Sequence, residues 1–155
     1  MIAKIEKEVG AKSTFFFRLK AANYNLLSIR NVKIVHDLIK MGHNVGLHYE
    51  QSNKLINSFE EDISFNLNVV SNLLGTKISL FNAHEPSRTG IKISDILPYN
   101  NRCYNSEFFK DYKFLSDSGG RWREGCFSEH VNLHKKILVL THPIWWYEQH
   151  PGENY

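Results

Sequence analysis

The chain has 155 residues, 42% hydrophobic and 23% charged, the balance of a folded globular domain long enough to bury a core. Its net charge of +3 is small and carried without any basic run, which argues against a nucleic-acid surface. Nor does any apolar run approach the roughly 20 residues of a membrane span.

In chain order, Ile2, Ile5 and Val9 recur at helical spacing between lysines and glutamates, predicting a first helix closed by Gly10. Charges interleaved in this way do not make a signal peptide. Residues 13–19 (STFFFRL) form an aromatic run bounded by polar residues and read as a buried strand. Residues 29–41 follow as an amphipathic helix with Val32, Val35, Leu38 and Ile39 on one stripe, and residues 44–48 as a second strand. A longer helix over about 54–74 places Leu55, Ile56, Phe59, Ile63, Leu67, Val70 and Leu74 at helical period, ending at Gly75. Residues 77–83 (KISLFNA) give a third strand, 91–97 a helical turn, 112–116 (YKFLS) a fourth strand and 136–141 (KILVLT) a fifth. Short apolar strands alternating with helices predict a parallel sheet, open or closed into a barrel. Cys103 and Cys126 show no metal-type spacing; free thiols in a reducing, cytoplasmic setting are expected, with one disulfide as the alternative.

Parallel α/β proteins bind ligands beyond the carboxyl ends of their strands. The residues just past strands two to five are His48, His84, Asp117 and His142, which would converge on one rim. Imidazoles with a carboxylate suit zinc and similar divalent ions, and a histidine that is not a ligand can protonate a leaving group. Metal-assisted hydrolysis is the reaction class that follows. The other histidines read differently. His36 lies on a helix surface, and His43 follows the helix end, where a structural hydrogen bond is expected. His130 and His134 could chelate an ion, but without an HExxH glutamate a solvated helix face is preferred. His150 lies near the C-terminus.

The segments STFFFRL, GHNVGLHYE, FNAHEPS, YKFLSDSGGRW and LVLTHPIWW, in this order over residues 12–146, resemble the polysaccharide deacetylase family with the NodB homology domain. The likeness is greatest to its divergent branch associated with bacterial surface-carbohydrate biosynthesis, and GH-x-x-G-x-H and LTHP-x-WW are the most specific pieces. The resemblance implies an α/β fold, a distorted parallel (β/α) barrel, and metal-dependent removal of an acetyl group from an N- or O-acetylated sugar or polysaccharide. It implies a divalent metal, zinc, held by His48. The family's second histidine ligand falls at Ser52, so His84, beside the Arg/Pro motif matched by Pro86, becomes the other candidate ligand. It further makes His142 the general acid and Asp117 the residue that orients it. Trp122, Trp145, Trp146 and Arg88 are assigned to carbohydrate substrate binding.

The family's first strand ends in an aspartate pair, one the general base and one a metal ligand. This chain opens on the helix that should follow that strand, and Asp37 and Asp62 lie inside predicted helices. A single domain over residues 1–155 lacking its first strand is therefore expected. The alternative reading is an inactive fragment or pseudoenzyme that retains a carbohydrate-binding surface. An amidohydrolase-type barrel is a third, without a paired H-x-H to support it.

Overall fold

A computed structural model describes residues 2–22, 24–50, 58–84 and 111–146. Backbone contacts group the chain into two units, Met1–Tyr104 and Asn105–Tyr155. In the first, α1 (Ile2–Glu8), β1 (Thr14–Phe17), α2 (Ile29–Lys40), β2 (Asn44–Tyr49), α3 (Phe59–Leu74) and β3 (Phe81–Ala83) alternate. The strands form one parallel sheet in the order β1-β2-β3, with Phe15 opposite Val45 and His48 opposite Asn82. Both long helices begin on a serine whose hydroxyl accepts a backbone N–H of the first turn: Ser28 from Asn31, Ser58 from Glu61. Val35 and Leu38 of α2 and Ile63, Val70 and Leu74 of α3 then bury against Val45, Leu47, Tyr49 and Phe81 of the sheet.

The pleat divides β2. Val45, Leu47 and Tyr49 are buried in this core, and the alternate residues Gly46, His48 and Glu50 belong to the other face. There the Phe16 ring lies across Gly46 so closely that a Cβ would fall 2.5 Å from it. Two predicted elements need correction. On α1 the buried residue is Ala3, whereas Ile5 and Val9 of the expected stripe are exposed. The third strand begins four residues later than residue 77, because the Ile78 N–H is taken by the Ser71 hydroxyl at 2.9 Å and cannot start a ladder.

The second unit contains β4 (Lys113–Ser116), a four-residue helix α4 (Phe127–His130) and β5 (Ile137–Leu140), with β4 and β5 paired in parallel. The distorted (β/α) barrel expected from the sequence is not formed: the described residues hold five short strands in a three-stranded and a two-stranded parallel sheet, without closure. The alternation of strands and helices is common to open sheets and barrels. Closure depends on strand number and stagger, which local periodicity does not carry. The turn expected over 91–97 lies outside the described residues, as do Arg88, Ser52 and Cys103; Cys126 is a free, exposed thiol. Among the described residues no helix is long and apolar enough to cross a membrane.

Candidate functional site

Two clusters hold the residues singled out by the sequence, one in each unit. In the first unit His48 occupies the fifth position of β2 and His84 directly follows β3. Register brings them together: the His84 N–H donates to the Tyr49 carbonyl at 2.7 Å, carrying the β2–β3 ladder one step further. The two rings meet edge to face with centroids 4.9 Å apart. His48 Nδ1 lies 2.6 Å from Asn82 Oδ1. A carbonyl oxygen only accepts, so His48 Nδ1 carries the proton and Nε2 the lone pair, which faces His84 Nδ1 at 3.0 Å.

That separation bears directly on metal binding. Two nitrogens each about 2.0–2.1 Å from a tetrahedral zinc lie about 3.3 Å apart, so the hydrogen-bonded His48 Nε2 and His84 Nδ1, at 3.0 Å, need only a small separation and a turn of both rings to become neighbouring ligands of one ion. Asn82 supplies the outer hydrogen bond that a ligating histidine ordinarily makes through its other nitrogen. The fit covers two ligands. Among the described residues, no group of three or more histidine, cysteine, aspartate or glutamate side chains is assembled to hold an ion.

The same sheet end holds an ion pair that the sequence did not announce. Arg18, one residue past β1, reaches Glu50, one residue past β2, with Nη2 at 2.6 Å and Nε at 3.2 Å from Oε2. The Arg18 N–H is itself anchored on the Tyr24 hydroxyl at 2.7 Å. Register was the available signal: Phe17 pairs with Leu47, which puts Arg18 beside His48.

In the second unit Asp117 directly follows β4 and His142 lies two residues past β5. The Asp117 N–H donates to the Leu140 carbonyl at 3.3 Å, so the aspartate still belongs to the ladder. The turn after it needs Gly119 and Gly120, both with φ of 72°, a region that side chains with a Cβ rarely adopt. Asp117 is buried and accepts from three donors. The His142 N–H is shared between its two oxygens at 2.9 Å each, His142 Nδ1–H reaches Oδ1 at 2.6 Å, and Trp146 Nε1–H reaches Oδ2 at 3.1 Å. A carboxylate cannot donate, so His142 is held with its proton on Nδ1 and its lone pair on Nε2. His142 Nε2 has no partner among the described residues.

The tryptophans have distinct places. Trp146 is tied to Asp117, the Trp145 ring lies 3.5 Å from where a Gly120 Cβ would stand, and Trp122 is half-buried, its carbonyl accepting the Gly125 N–H. A cavity of about 240 Å³ near β4 is lined by Phe114, Leu115, Ser116, Ser118, Arg123, Glu124 and Gly125, with no tryptophan in its wall.

Three further histidines make structural contacts. His43 is buried; its Nε2–H donates to the Ala3 carbonyl at 2.9 Å and its Nδ1 accepts the Ser13 N–H at 3.3 Å, which fastens α1 to the sheet. His130 and His134 stack at 5.7 Å, and His130 Nε2–H is spent on the Glu124 carbonyl. No family model, no curated protein and no solved structure matches the chain.

Proposed function

We propose that the chain is a metal-dependent hydrolase, or part of one, that removes an acetyl group from an N- or O-acetylated sugar or polysaccharide. The observation that carries this reading is the Asp117–His142 pair, a strand-end histidine fixed in one tautomer by a buried carboxylate. Such a histidine, protonated at Nε2, gives its proton to the departing amine or alcohol as the acyl carbon–heteroatom bond breaks, and the carboxylate stabilises the imidazolium beforehand. His48 and His84 would hold the divalent ion, zinc or a similar metal. When bound there, the ion supplies a water whose pKa is lowered to about 7 and polarises the acetyl carbonyl. Because His84 Nδ1 donates to His48 Nε2 in this contact, ligation through that nitrogen takes the other neutral tautomer, with the proton on His84 Nε2. The restriction to sugars comes from the sequence resemblance to polysaccharide deacetylases, and the exposed Trp146 ring offers a stacking face.

The test is acetate release from acetylated oligosaccharides by zinc-loaded protein. His142→Ala should reduce it about 10²- to 10⁴-fold, the usual contribution of a positioned proton donor. Undiminished release by that variant would remove the acid role. A second reading is a non-catalytic carbohydrate-binding protein, favoured by the two metal donors brought together among the described residues, where catalytic zinc sites have three. It expects saturable oligosaccharide binding with no acetate released at any metal concentration.

A further inference from the structure

Successive side chains of a strand point to opposite faces, so residues two apart share one. Since Val45, Leu47 and Tyr49 of β2 are in the core, His48 and Glu50 project together from the other face. Across the ladder His48 pairs with Asn82 and Tyr49 with Ala83. The next step, marked by the 2.7 Å bond from His84 N–H to the Tyr49 carbonyl, sets His84 abreast of Glu50. Three side chains of metal-binding type thus share one face at one sheet end. Two of them already present nitrogens 3.0 Å apart. The third is a carboxylate whose contacts with Arg18 both fall on Oε2, leaving Oε1 without a partner among the described residues.

We propose that Glu50 is the third protein ligand of the ion held by His48 and His84, completing a two-histidine, one-carboxylate set in which Arg18 grips the far carboxylate oxygen. This rests on the metal reading above. The described residues do not show the three donors assembled, since Glu50 is turned toward Arg18. In this proposal the Glu50 side chain would turn toward the histidine pair while Arg18 stays on Oε2. The division of the carboxylate is what metal sites ordinarily use, one oxygen on the ion and the other on an outer donor. Two neutral imidazoles and one carboxylate leave coordination positions open and suit zinc, cobalt or iron in the divalent state.

The experiment is titration of the whole chain with Zn²⁺ by calorimetry and with Co²⁺ by visible absorption, with folding followed by circular dichroism. The wild type should take up one equivalent, and His48→Ala and His84→Ala should abolish it. Glu50→Gln, nearly isosteric, should lose at least about 100-fold in affinity and change the Co²⁺ spectrum; Arg18→Gln, altering only the outer group, should lose about 10-fold. Should Glu50→Gln unfold the protein, Glu50→Asp provides the same reading, since it keeps the charge but shortens the reach. If the Glu50 variants bind like the wild type while both histidine variants do not, Glu50 is not a ligand and the histidine assignment survives. If the wild type binds no metal, or the histidine variants bind as well as it does, both assignments fall.

Discussion

Asp117 anchors two elements of the second unit, because its two oxygens receive His142 twice and Trp146 once. Asp117→Asn replaces one acceptor with an N–H₂ donor, and that donor must face either the His142 or the Trp146 N–H. Urea unfolding should show a loss of about 1–3 kcal/mol, the cost of leaving a buried donor unsatisfied. The imidazole ¹⁵N shifts of His142 should at the same time move away from the Nδ1–H tautomer. A tautomer unchanged in the variant would mean that the carboxylate does not orient the ring. The aspartate and histidine were legible in the sequence because each follows an apolar run that could only be a strand. The Trp146 contact was not, since nothing in LVLTHPIWW tells which indole turns back to the carboxylate and which lies over Gly120. Likewise Arg18 and Glu50 are 32 residues apart, and only the β1–β2 register joins them.

Between elements, β2 and α3 are locked by a polar contact inside the core. The buried Tyr49 hydroxyl donates to Asp62 at 2.8 Å, and Asn66, one turn along the helix, donates to the same carboxylate at 2.9 Å. Burial, and next the bond to the Asp62 carboxylate, push the Tyr49 phenol well above the usual tyrosine range. The sign of the pH effect follows. A folded-state pKa raised above the unfolded value of about 10 leaves stability intact below pH 10 and erodes it as pH climbs beyond, where the unfolded chain releases the proton first. Tyr49→Phe should unfold about 1–2 kcal/mol more easily at neutral pH but show a shallower decline in denaturant midpoint between about pH 10 and 12. Parallel curves for the two proteins would contradict this. Gly46 is the packing counterpart on the same strand. A Cβ there would meet the Phe16 ring at 2.5 Å and the Leu80 carbonyl at 2.9 Å, and that carbonyl is backbone in the ladder. Gly46→Ala should therefore cost about 1–3 kcal/mol in chemical denaturation. No period in the sequence distinguishes this glycine from those in turns; only the pairing of β1 with β2 brings an aromatic ring over it.

At the scale of the chain, local pattern was a good guide to which segments are strands and helices and a poor one to how strands associate. Val35, Leu38, Ile63, Val70 and Leu74 are buried where helical period placed them. The barrel, by contrast, was a statement about closure, and the strands among the described residues pair as a set of three and a set of two. The two sheets differ in burial. β2 is flanked on both sides and keeps Val45, Gly46, Leu47 and Tyr49 from solvent, whereas in β4 and β5 only Leu115 is buried, with Phe114 and Val139 exposed. Two strands alone are marginal in water, and protection of an amide reflects the apolar burial lost when it opens. Native-state hydrogen exchange should consequently rank the sheets, with amides of Val45, Leu47 and Tyr49 slowest and those of Phe114 and Val139 faster by at least about tenfold, a difference of roughly 1.4 kcal/mol in opening free energy. Equal protection in both sheets would mean that β4 and β5 open only with the whole chain, and that the second unit draws its stability from contacts beyond its own sheet.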